Sequence, residues 1–126
     1  MEELLNYLWQ NKDKFEAIII TGGHDQVVDL VLSSHNIKDC FAHILCNKSI
    51  RDEKNIFKIL VTNEKYEHCN DDKPFLWNSL YFEDFMKDKT NCFDKIFYIC
   101  DGKNDFCLSK KLGKNDIVFP RINYSL

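Results

Sequence analysis

The chain has 126 residues, 44% of them hydrophobic and 13% aromatic, with a net charge of -3 and six cysteines. That length suits one compact domain, the apolar content excludes a disordered chain, and no apolar run approaches the length of a bilayer span. The lysines are scattered among acids instead of gathering with aromatics, so neither a nucleic acid nor a membrane is an expected partner.

Residues 3–15 place Leu4, Leu5, Leu8 and Trp9 at helical spacing. The segment MEELLNYLWQ carries two acids and no basic stretch ahead of its leucines, which argues against a secretory signal and sets a cytoplasmic expectation. On that ground Cys40, Cys46, Cys69, Cys92, Cys100 and Cys107 are expected to be reduced thiols. No C-x-x-C pair occurs among them, so the ligand spacing of a tetrahedral zinc site is missing.

Next comes FEAIIITGG, in which Ala17 to Ile20 form a continuous apolar, β-branched run. This predicts a strand covered on both faces, ended sharply by Gly22 and Gly23. From Asp25, the apolar positions Val27, Val28, Leu30, Val31 and Leu32 predict a helix, and FAHILC at residues 41–46 a short strand. IFKILVTN reads as a further extended segment and EKYEHCNDDK as loop.

Pro74, with Asp71 and Asp72 ahead of it, suits the start of a helix running to about Lys87. The apolar residues of that helix cover most of its circumference, which predicts packing on more than one side. The run from Ile96 to Cys100 predicts a strand, a short helix follows Asp105, and DIVFP is a last strand closed by Pro120. Strands alternating with helices predict a three-layer, Rossmann-like α/β fold with a mainly parallel sheet, residues 1–126 forming one domain.

In such a sheet, ligands bind at the carboxyl ends of the strands, where TGGHD and CDGKND fall. Thr21 offers a hydroxyl beside glycine amides, a suitable phosphate or oxyanion contact; the alternative is that it only ends its strand. Asp101 and Asp105 form a hard oxygen pair of the kind Mg²⁺ prefers; the alternative is a tight Asp-Gly turn followed by a helix cap. His24 and His35 have no carboxylate or nucleophile at a diagnostic spacing, so a structural role is expected for both. Cys100 and Cys107, among apolar neighbours, are expected to pack as small hydrophobes.

The stretch FDKIFYICDGKNDFCLSKKLGKNDIVFPRINYS resembles the carboxyl-terminal part of the PHOSPHO-type phosphatases of the haloacid dehalogenase superfamily. Those proteins carry a strand, then G-D-G-x-N-D-F-C-P, then a second strand ending in F-P-R-x-G-Y. Upstream, FEAIIITGGHDQVVDLVLSSHNIKDCFAHILCN is similar to the family's strand, helix and ILSN-like strand. The resemblance implies a haloacid dehalogenase-like core and hydrolysis of a small phosphomonoester, such as pyridoxal 5'-phosphate, phosphocholine or phosphoethanolamine. It also implies an aspartyl-phosphate intermediate and a Mg²⁺ cofactor. It places Thr21 at the hydroxyl that contacts the phosphoryl group, Asp101 at the principal acidic metal ligand and Asp105 at the second acidic position of that loop.

The match has gaps. The family's nucleophile strand, D-x-D-x-T, occurs nowhere in the 126 residues, so the resemblance implies a partial core domain without its first strand, its nucleophile aspartate and its cap. Ser79 falls where the family has a basic residue, Gly22 where it has Asp, and Cys100 where it has Gly. Three readings follow: a Mg²⁺-dependent phosphatase represented by an incomplete chain, a catalytically inactive relic or interaction module, and a receiver-like phosphoacceptor. The last lacks its acceptor, since Thr21 occupies the place where an aspartate would stand.

Overall fold

A computed structural model describes residues 2–60, 78–89, 92–102 and 105–123. The chain divides into two compact units, Met1–Asn63 and Glu64–Leu126. In the first unit the elements are α1 (Glu2–Gln10), β1 (Ile18–His24), α2 (Asp25–Ser34), a 3-10 turn at Lys38–Cys40, β2 (His43–Arg51) and β3 (Phe57–Leu60). The second contains α3 (Asn78–Met86), β4 (Phe97–Cys100), α4 (Phe106–Ser109) and β5 (Ile117–Pro120).

The first unit holds a sheet in the order β1-β2-β3. β1 and β2 are parallel, with Ile18 opposite His43 and Thr21 opposite Cys46, and α2 supplies the crossover expected of a βαβ unit. β3 then returns antiparallel to β2, pairing Phe57 with Arg51 and Leu60 with Lys48. This is the extended segment expected at IFKILVTN, and it draws β2 out to Arg51, well past the predicted end at residue 46. The polar run Asn47–Arg51 hid that extension, because this part of the pair is largely solvent-facing and needs no apolar signal.

Gly22 and Gly23 do not end β1 as expected. The strand continues to His24 through an irregularity: after Thr21 pairs with Cys46, the next pairing is His24 with Asn47. The two glycines are looped out as a bulge, and the Asn47 side chain donates to the Gly22 carbonyl at 2.8 Å, tying the loop down.

In the second unit β4 and β5 form a parallel pair, Phe97 opposite Ile117 and Cys100 opposite Pro120. Asp116 staples its entrance: one carboxylate oxygen accepts the Ile96 amide at 2.8 Å and the other the Gly113 amide at 2.7 Å. Of residues 78–86 only Asp84 is exposed, which agrees with the packing expected of that helix. Residues 74–77 of the predicted helix lie outside the described residues.

This is a mixed α/β fold with parallel pairing, the class the sequence predicts, built here as a three-stranded and a two-stranded sheet. The apolar strands are not covered on both faces throughout: Phe97 is 51% exposed and Ile99 57%, while Cys100 on the opposite face is buried. The cysteines also depart from expectation. Cys40, Cys46, Cys92 and Cys100 are free, but Cys107 is disulfide-bonded; sequence spacing carries no information on which thiols the fold brings together.

Candidate functional site

Both polar clusters nominated by the sequence lie at the carboxyl ends of strands in parallel pairs, one in each unit. At the end of β1, the Thr21 hydroxyl oxygen accepts the Gly23 amide at 3.2 Å. That bond uses a lone pair and leaves the hydroxyl proton available to an oxygen ligand. Thr21 thus shapes the bulge and keeps a donor.

Asp25 opens α2 just beyond. One of its carboxylate oxygens accepts the Gln26 amide, the Ser49 amide and the Ser49 hydroxyl. The Ser49 hydroxyl bond is the main reason its carboxyl lies below the ordinary range. The interaction joins the start of α2 to β2. His35, by contrast, sits at the end of α2 with its ring Nδ1 against the Val31 carbonyl at 2.9 Å, the structural role expected.

The acidic loop after β4 is more fully determined. Asp105 is 6% exposed. One of its oxygens accepts the amides of Asp101 at 3.0 Å and Gly102 at 3.1 Å. The other accepts the Asn78 side-chain amide at 2.9 Å and the Tyr98 hydroxyl. A buried carboxylate is tolerable only when paired or hydrogen-bonded in this way, and here both oxygens are committed.

Asp105 stands at the start of α4 but makes no side-chain capping bond; its carboxylate reaches back along the chain instead. The Asp105 amide donates to the Gly102 carbonyl at 3.0 Å. Asp101 is exposed, and its carboxylate has no hydrogen-bond partner among the described residues. One acid therefore builds the loop and the other is presented by it.

The surroundings follow the same electrostatics. Burial pushes the Tyr98 phenol far above its usual range, and the Asp105 carboxylate to which it donates adds to the rise. Burial likewise raises the Cys100 thiol, with the Asp105 and Asp101 charges reinforcing it. A thiol held protonated is a poor nucleophile, consistent with Cys100 serving as packing. Ser79 is also buried, at 9% exposure in the first turn of α3.

Asn78, Tyr98, Asn47 and Ser49 had no part in the sequence reading. Asn78 lies 27 positions from the carboxylate it touches, and no periodic signal joins residues so far apart. Tyr98 carried a weak sign, a polar-tipped aromatic in an otherwise apolar strand, where a buried hydroxyl needs a partner.

The fold and the two loops define an α/β protein with a hydroxyl and a free carboxylate at the carboxyl ends of parallel strands. Residues 1–126 match the family described as Putative Phosphatase, and the chain belongs to that family, the PHOSPHO-type phosphatases of the haloacid dehalogenase superfamily. Over its whole length it is 33% identical to the Probable phosphatase phospho2 of Xenopus tropicalis and covers 53% of that protein. Identity and coverage are the same for the Pyridoxal phosphate phosphatase PHOSPHO2 of Mus musculus. The Phosphoethanolamine/phosphocholine phosphatase of Gallus gallus is 26% identical over the whole chain, which covers 47% of it. The chain thus spans about half the length of the curated relatives it matches. No solved structure matches it. Among the described residues no helix is long and apolar enough to cross a membrane.

Proposed function

We propose that the chain serves a Mg²⁺-dependent phosphomonoester hydrolase acting on a small phosphorylated metabolite such as pyridoxal 5'-phosphate. In this reading Thr21 contacts the phosphoryl group and Asp101 is the metal ligand. The supporting observation is the division of labour in the acidic loop: Asp105 gives its whole carboxylate to holding the loop, and Asp101 gives none of its own.

Mg²⁺ keeps several waters and takes one or two protein carboxylates together with substrate phosphate. A single unengaged carboxylate on a braced loop fits that need, although no group of three or more potential ligands forms among the described residues. When bound, the ion neutralises phosphoryl charge. The Thr21 hydroxyl donates to a phosphoryl oxygen, and the Asp25–Ser49 contact keeps the strand end carrying it in place. Asp105 acts through Asp101, by fixing the backbone from which it projects.

A second reading, a non-catalytic binding or interaction module, is favoured by Ser79. The position at which the family carries a cation holds a buried hydroxyl, and a lost phosphate-facing cation removes an electrostatic contribution of the kind worth about 10²–10³ in rate. The test is a titration of the chain with pyridoxal 5'-phosphate, with and without Mg²⁺, alongside an assay of phosphate release. Binding strengthened by Mg²⁺ and made metal-independent by Asp101→Ala is the expected result. Binding indifferent to both would overturn the proposal, and release abolished by Asp101→Ala would eliminate the non-catalytic reading.

A further inference from the structure

Where β1 and β2 resume pairing after the bulge, two polar side chains meet the carboxyl end of the same parallel pair and neither finds its complement. His24 and Asn47 are partners in the register. Asn47 is only 3% exposed. Its Nδ2 donates to the Gly22 carbonyl at 2.8 Å, which fixes the orientation of the amide, because its oxygen cannot face another carbonyl oxygen. Its Oδ1 is therefore a buried acceptor, and it has no hydrogen-bond partner.

The His24 Nδ1 is buried and unpartnered too, with the ring held 5.1 Å from that of Phe57. Buried polar atoms are nearly always paired in folded proteins, and each exception calls for a group that completes it. Of the three such atoms among the described residues, Asn78 Oδ1 lies by the Asp105 loop, and the other two stand together on paired residues of adjoining strands, His24 being three positions beyond Thr21. Bulges re-aim side chains in this way next to functional sites.

The chemistry of the pair selects its ligand. Asn47 Oδ1 demands a donor, which excludes a carboxylate or a phosphate oxygen. The proposed tautomer places the His24 proton on Nδ1, so that the second contact takes an acceptor and excludes an ammonium group. A hydroxyl does both, donating to Asn47 and accepting from His24. We propose that His24 and Asn47 form a hydroxyl-recognition subsite beside Thr21, selecting phosphomonoesters whose organic part bears a hydroxyl group; this rests on the phosphoryl-contact reading of Thr21. It gives His24 a ligand-binding role in place of the structural one expected from sequence.

The test uses the full chain and four probes in binding titrations with Mg²⁺: inorganic phosphate, propyl phosphate, aminopropyl phosphate and glycerol phosphate. Leaving buried polar groups unmatched is costly enough that glycerol phosphate is expected to bind about tenfold or more tightly than propyl phosphate. His24→Phe preserves an aromatic ring against Phe57 and removes the nitrogen. It should bring the two esters to equal affinity, whereas Asn47→Leu, which also removes the bond holding the Gly22 carbonyl, should weaken the binding of both. Equal binding of the two esters, tighter binding of the amine, or a preference surviving His24→Phe would each overturn the subsite. Phosphate binding unaffected by Thr21→Val would overturn the reading on which it rests, and failure of every probe would remove both.

Discussion

The loop after β4 and the bulge at the end of β1 are built from similar polar residues, but the first centres on a carboxylate with both oxygens engaged and leaves only Asn78 Oδ1 loose, whereas the second leaves both Asn47 Oδ1 and His24 Nδ1 unpartnered. Around Asp105, four donors converge on two oxygens and leave the carboxylate fully engaged. In the bulge, Asn47 Oδ1 and His24 Nδ1 are buried without a hydrogen-bond partner. A carboxylate held by four donors rigidifies its loop, whereas buried polar atoms left unmatched are costly unless something fills the place beside them. The first pattern is that of a scaffold and the second that of a receptor, so substitutions in the two regions should differ in kind.

The largest effect should come from Asp105→Ala. It strands the buried Asn78 amide together with the part-buried Tyr98 hydroxyl and two part-buried backbone amides. The expected loss is roughly 3 kcal/mol or more of unfolding free energy, read by urea denaturation. A loss below about 1 kcal/mol would show that water replaces these bonds readily and that the loop is no scaffold.

Tyr98→Phe removes one donor to the same carboxylate and should cost about 1–2 kcal/mol. It also has a signature in pH. The phenol is raised in the folded chain, so above about pH 10 the unfolded chain releases that proton first. Stability present below that pH is therefore lost as pH rises further. Denaturation midpoints measured into the alkaline range should fall for the wild type and lose this component in Tyr98→Phe.

Ser49→Ala should do less, and at the other end of the scale. The Ser49 hydroxyl is the main cause of the lowered Asp25 carboxyl. A lowered acid stabilises above its unfolded value of about 4, and the contribution fades as pH falls through the folded value. The variant should be less stable than wild type at neutral pH, and the two should converge on acidification. A constant difference at every pH would show that Ser49 contributes packing alone.

Legibility in the sequence divides along a related line. The strand cores at Ile18–Ile20 and Phe97–Cys100, and the helix from Asp25, were visible because apolar periodicity is local. So were the places of Thr21 and Asp101 toward the carboxyl ends of their strands, since strand ends can be located once the strands are known. What could not be read was everything depending on contact at a distance: the reach of β2 to Arg51 through pairing with β3, the commitment of Asp105 to Asn78, and the disulfide at Cys107. The glycine pair misled for a different reason. A Gly-Gly step after an apolar run marks a turn or a bulge equally well, and only the partner strand decides.

The smallest effects lie within that bulge. Neither glycine adopts positive φ, so what separates them is space. A Cβ at Gly22 meets nothing within 4 Å, whereas one at Gly23 lies 3.3 Å from Val28 Cγ2 and 3.5 Å from Thr21 Oγ1. Gly22→Ala should therefore be neutral to within about 0.5 kcal/mol, while Gly23→Ala should cost more, because Val28 or the Thr21 turn must shift. Gly22→Asp extends the comparison, since it restores the residue type that the family pattern carries after the hydroxyl position. If it is tolerated as well as Gly22→Ala, the fold does not require glycine there, and the missing carboxylate is a difference in function. If it destabilises as Gly23→Ala does, the bulge itself excludes the acid, and the unpartnered His24 and Asn47 belong to a strand end that this chain has reshaped.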